Sequence, residues 1–294
     1  MKRAGAVCCF ALAALIAAVS PSSSADADAT LAARDHRLLD AAFAAMPAQR
    51  PGRSDLYVVG FAGDGHEDVF RNEVLYLDVL MSTRFDARGR VVTLVNHAGS
   101  LGATPRPLAT LDNLRGALAR IGRAMDRDQD LLLLFVTTHG TSDHKLVLQL
   151  YPLIEGALTP EQLRAALDDA GIRHRVLVVS ACYAGGFVPA LRGPDTLVIA
   201  AARFDRTSFG CGSESAATYF GRAWMIEGLN RSTSFIAAYD YATRRIAQRE
   251  RAEDYEPSLP QIAVGANIGR RLRDWEATLS KTAAVPYPYV EKPD

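Results

Sequence analysis

Two apolar runs constrain this chain most: LLLLFVTTHG, ending at His139 and Gly140, and VLVVSACYAGGF, with Cys182 at its centre. An uninterrupted apolar run bounded by turn residues is the pattern of a strand buried on both faces, as a parallel sheet requires. The pattern recurs at residues 56–63 (LYVVGFAG), 90–97 (RVVTLVNH) and 196–201, with a short last strand at 261–264. Helical spacing separates these runs. It predicts helices over residues 70–81, 110–125, 160–170, 216–227, 234–248 and 267–279. Leu111, Leu114, Leu118 and Ile121 share one face of the second, with Thr110 or Asp112 as its cap. Thr159 followed by Pro160 marks the start of the third. Residues 145–150 alternate and predict a small hairpin arm. Strands alternating with helices give an α/β fold: a three-layer, doubly wound, mostly parallel sheet.

Chemistry gathers at the carboxyl ends of such strands, and right-handed crossovers bring those ends to one edge. His139 and Cys182 are therefore expected side by side. An imidazole next to a thiol raises the thiolate fraction, and the thiolate attacks a carbonyl carbon. The competing reading makes Cys182 a small buried hydrophobe and His139 a capping residue. Gly140 is either a strand-terminating turn residue or the site of an oxyanion-binding N–H, shared with the N–H of Cys182. Ser180 precedes the cysteine by two and points to the same face, as a substrate contact or as a buried hydroxyl bonded to backbone.

The segments THG and SACYAGG, together with AGDGHEDVFRNE (residues 62–73) and RTSFGCGSESAATYFG (residues 206–221), resemble the legumain (haemoglobinase) family of cysteine endopeptidases, most closely its short bacterial members. The resemblance covers about residues 55–265. It implies the caspase-haemoglobinase fold, Cys182 as nucleophile, His139 as general base and acid, and Arg71 in the primary specificity pocket. It also implies a peptide or protein substrate and no cofactor. This sequence departs from the family at three places. Val69 stands where an asparagine supports the histidine, Ala202 stands near the pocket serine, and residues 230–233 lack the matching acid. A transamidase of the same fold, or a binding domain that keeps the pair without turnover, stays open beside hydrolysis.

Residues 1–27 read as a secretory signal: Lys2 and Arg3, an apolar stretch, then small residues with cleavage expected near Ala25 or Ala27. The expected location is periplasmic or secreted, without a stable membrane anchor. Residues 28–54 form an N-terminal helix and linker, 55–282 the peptidase-like domain and 283–294 a tail. Cys8 and Cys9 leave with the signal, so Cys182 and Cys211 are the thiols of the mature chain, either bridged or free. Thirty-three basic and 33 acidic residues balance, which gives no footprint for nucleic acid. His36, His66, His97, His144 and His174 show no close helical pairing, so no metal site is expected. Oligomeric state is not encoded in any pattern of the chain.

Overall fold

A computed structural model describes residues 24–291. In chain order the strands are β1 (Leu56–Ala62), β2 (Val91–Val95), β3 (Leu131–Thr137), β4 (Leu146–Leu150), β5 (Ile154–Leu158), β6 (Arg175–Ser180), β7 (Thr196–Ala200) and β8 (Gln261–Val264). The helices are α1 (Ser24–Ala44), α2 (Asp68–Arg84), α3 (Leu111–Ala124), α4 (Pro160–Asp169), α5 (Val188–Leu191), α6 (Leu229–Arg231), α7 (Phe235–Ala252) and α8 (Ile268–Glu276). Six strands form one sheet in the order β2–β1–β3–β6–β7–β8, parallel except for β8, which runs antiparallel to β7.

The continuous apolar runs are explained by burial on both sides. Along β1, Leu56 and Val58 face a core with α2, α7 and α8, while Tyr57, Val59 and Phe61 face a second core with α1, α3 and α4. Successive strand side chains point to opposite faces, so each strand needs apolar residues at every position. Helix α3 begins at the expected Thr110 cap, whose hydroxyl accepts from Asn113 N–H, and α4 begins with a capping box between Thr159 and Gln162. The hairpin arm expected at 145–150 is the antiparallel pair β4–β5.

One helix differs from its sequence pattern. The expected helix at 216–227 is a π-helical segment, Gly221–Gly228, running into α6. Thr218 caps its approach, with its carbonyl accepting from Arg222 N–H at 2.9 Å, and is itself held from α2. Thr218 N–H and Oγ1 both donate to Glu73 Oε1, at 2.8 and 2.7 Å, and Thr218 Oγ1 accepts from Gly221 N–H at 2.8 Å. Thr137 Oγ1 donates to the other Glu73 oxygen at 2.6 Å. Burial holds this carboxyl above the usual carboxylate range, opposed by those three hydrogen bonds. Glu73 thus ties α2, the end of β3 and the entry to the π-helical segment beneath the sheet edge that carries the candidate site.

Both ends of the described chain are bound to this body. Asp35 of α1 is buried, its Oδ2 accepting from Leu108 N–H and Asn113 Nδ2. In the tail, Val285 N–H donates to Asn230 Oδ1, Tyr287 OH donates to the Ala216 carbonyl, and Glu291 accepts from Ala216 N–H. Residues 283–291 therefore pack as part of the domain. The signal expected at residues 1–27 lies almost entirely outside the described residues. No helix among the described residues is long and apolar enough to cross a membrane.

Candidate active site

Strand register places the two reactive residues. Thr137 of β3 pairs with Ser180 of β6, so the residues two positions on, His139 and Cys182, leave neighbouring parallel strands at the same level. They line one tight recess with Phe70, Thr138, Ser180, Ala181, Ser208, Phe209, Cys211 and Thr218. The recess encloses only about 10 Å3, room for one water at most. An extended ligand has to lie across its mouth. The hairpin fixes the histidine from outside: Val147 N–H donates to the His139 carbonyl at 2.9 Å, and Thr138 Oγ1 to the Val147 carbonyl at 2.7 Å.

The imidazole of His139 is one-third exposed and held on two sides. Phe70 packs edge-on against it, with ring centroids 5.0 Å apart. Its Nε2 lies 3.2 Å from Glu67 Oε2. With Nε2 engaged by a carboxylate, Nδ1 is the nitrogen left for proton transfer. Glu67 was missed in the sequence because its expected counterpart was sought at position 69. Val69 is fully buried in the core on the α2 side, and Glu67, two residues earlier in the loop before α2, supplies the contact. The legible signal was an acidic residue in the loop after β1, beside the point where strand order reverses.

Cys182 is partly buried and free, as is Cys211. Its thiol is held well below the ordinary thiol range, chiefly by a hydrogen bond with the Cys211 thiol. Burial opposes this, and the Ser208 N–H, 3.2 Å from Sγ, and the charge of His139 add to it. The same hydrogen bond, with burial, pushes the Cys211 thiol up. A thiolate is thereby favoured at position 182. Two free thiols that line one recess could also form a disulfide. On oxidation each would lose a proton and together they would pass two electrons to an external disulfide, removing the thiolate of Cys182. Parent protein kept without reductant is expected to lose turnover and regain it with mild thiol, whereas Cys211→Ser needs no reductant and keeps nearly the parent's reduced rate. Identical responses of both proteins to oxidised glutathione would exclude a Cys182–Cys211 switch.

Gly140 passes so close to Cys182 that a Cβ built on it falls 2.0 Å from the Cys182 carbonyl oxygen. Among the described residues, neither the Gly140 nor the Cys182 N–H donates to a backbone carbonyl. Ser180 lines the recess, but it is buried and its Oγ sits 3.3 Å from Thr218 Oγ1. Ala202 is wholly buried and offers only its carbonyl, which accepts from Gly185 N–H at 2.8 Å, so no substrate contact is available to it. Arg71 does not line the Cys–His recess. It lines a separate hollow of about 340 Å3 with His97, Ser100, Arg106 and Tyr289. Its guanidinium is engaged there by Asp68 at 3.4 Å, Asn72 Oδ1 at 2.9 Å and His97 Nε2 at 3.2 Å. The sharp exit after Cys182 is made by Tyr183, in the left-handed region at φ 56°, while Gly185 and Gly186 permit close approach of Phe204 N and the His144 ring.

A family model described as the peptidase C13 family matches residues 111–270. No curated protein sequence matches the chain. Among solved structures, the crystal structure of caspase-1 from Spodoptera frugiperda is similar at 15% identity, covering 74% of this chain and 92% of that chain, with a TM-score of 0.48.

Proposed function

The chain belongs to the peptidase C13 family of cysteine peptidases, and from that premise we propose that it is an exported endopeptidase acting through Cys182 and His139. One observation carries the reading. Strand register sets a thiol biased toward thiolate beside an imidazole whose far nitrogen is already held by a carboxylate. In the proposed reaction the Cys182 thiolate attacks the scissile carbonyl carbon. The oxyanion that forms is met by the N–H groups of Gly140 and Cys182. The His139 imidazolium then gives its proton to the leaving amine, and a thioester remains on Cys182. His139 next takes a proton from water, hydroxide attacks the thioester, and the carboxylic acid departs as the thiolate reforms. Glu67 acts through His139 as a positioning residue, stabilising the imidazolium as it forms.

A fluorogenic peptide screen with reductant present, varying the residue before the scissile bond, tests the activity. Hydrolysis that disappears in step with alkylation of Cys182 is expected. Complete labelling of Cys182 in a protein that cleaves no peptide would favour the binding-domain reading. Export rests on the leader pattern of residues 1–27. N-terminal sequencing of the protein from its host is expected to begin near Asp26 or Asp28, in a fraction outside the cytoplasm. An intact Met1 in a cytosolic fraction would contradict export.

A further inference from the structure

The strand order reverses at β1 and β3, because β2 lies on one side of β1 while β3 and all later strands of the sheet lie on the other. Loops leaving the carboxyl ends at such a reversal diverge and open a crevice between them. Ala62 pairs with Thr137, so Asp64 and His139 leave β1 and β3 at the same level, and Glu67 follows in the same loop as Asp64. From this juxtaposition we propose that Asp64, Glu67 and His139 bind a zinc ion, and that the ion fixes His139 in a form unable to accept a proton. The second half rests on the reading of His139 as the proton carrier; the first does not.

One ligand atom from each of the three residues lies within 4.8 Å of the other two. Two ligands of a tetrahedral zinc, each bound at about 2.0–2.2 Å, stand roughly 3.3–3.6 Å apart. The Glu67 Oε2 to His139 Nε2 separation of 3.2 Å already spans nearly that edge. Asp64 supplies the third corner, with a carboxylate oxygen within 4.8 Å of both. Its place is firm: Asp64 bridges to Gln149 of β4, and the flanking Gly63 and Gly65 exchange backbone hydrogen bonds with Gln149. Asp64 is also buried, and its Oδ1 accepts from the His66 N–H at 2.8 Å, with the His66 ring 3.2 Å away. Metal-binding carboxylates are commonly oriented by such outer hydrogen bonds. His66 stands as an outer partner or as a fourth ligand.

The donor set selects the ion. An imidazole nitrogen with two carboxylates suits zinc better than magnesium or calcium, which prefer oxygen alone. Two carboxylates and a neutral imidazole also match the ion's charge. Coordination through Nε2 leaves the proton on Nδ1, and an imidazole so bound has no lone pair for the thiol proton. The spacing of histidines in the sequence gives no metal signature. Topology assembles the cluster from residues 64, 67 and 139.

The test uses the full mature chain with Cys182→Ala, so that the nucleophile cannot supply a ligand. Calorimetric titration with zinc chloride is expected to show one site per chain, weakened roughly tenfold or more by Asp64→Asn and by Glu67→Gln. Cobalt in the same site should give no thiolate charge-transfer band. In nitrogen-15 histidine spectra, zinc should shift the His139 Nε2 resonance and leave the ring as the Nδ1–H tautomer. These readouts need no peptidase activity, so a failure of the proposed function is distinguishable from a failure of the site. No binding by Cys182→Ala, or equal affinity in both carboxylate variants, would overturn the site. Binding that leaves the His139 Nε2 resonance unshifted would overturn the withdrawal of the base. If one carboxylate variant fails to fold, the other decides.

Discussion

Cys182→Ala and His139→Ala are each expected to reduce peptide hydrolysis by several orders of magnitude, and the double variant to lose little more. Residues that act as one unit show this non-additivity, because removing either leaves the other without its function. Cys182 supplies the only bond the enzyme makes to substrate in the proposed reaction, and His139 moves every proton in it. Neither side chain anchors the fold. Cys182 loses a single sulfur at a site lined by its own recess, and His139 is one-third exposed at the end of β3. Near-parent thermal unfolding should therefore accompany the loss of turnover. The variants also separate the roles of the pair. His139→Ala keeps the Cys211 and Ser208 hydrogen bonds to Sγ, so Cys182 should still react with iodoacetamide, though more slowly. Folded variants that hydrolyse peptides at the parent rate would rule out the Cys–His mechanism.

The strands were legible because burial on both faces demands apolar residues at every position, and a run such as LLLLFVT has little choice of structure. That both reactive residues follow such runs made their convergence readable as well, since parallel strands in register deliver their ends to one level. What the sequence did not carry was contact made across the chain by loops. Glu67 reaches His139 from a segment 72 residues earlier, and no local spacing records that meeting. Arg71 and Ala202 show that a matched position does not by itself bring a residue into the Cys–His recess. Their positions match a family pattern, yet α2 directs Arg71 into the hollow with His97, and Ala202 is enclosed behind Gly185. The π-helical segment was hidden too. Its apolar spacing is that of an α-helix, and no residue pattern marks the wider turns of Gly221–Gly228.

Gly140→Ala is expected to destroy activity almost as thoroughly as loss of the nucleophile, although it adds only one methyl group. That methyl would lie 2.0 Å from the Cys182 carbonyl oxygen and 3.0 Å from its carbon. Both are backbone atoms, so no side chain can swing aside to relieve the contact. Ala181 Cβ, 3.3 Å away, closes the remaining direction. The segment after β3 must retreat from the segment after β6, yet the first is pinned by Val147 N–H and the second by Tyr183 N–H on the Arg206 carbonyl, at 2.8 Å. Overpacking of this kind costs about 1–3 kcal/mol where neighbours can shift, and more where they are backbone. The chemical cost is larger still. Displacing a reacting group by about 1 Å lowers rates roughly 10²-fold, and here the nucleophile, the base and both proposed oxyanion donors move relative to one another. The measurement is kcat for a cleaved peptide beside the thermal unfolding midpoint. A drop in kcat far exceeding the loss of stability supports the close approach as functional. A variant that unfolds several degrees lower yet turns over at the parent rate would show that Gly140 serves only packing, and the oxyanion would then require other donors.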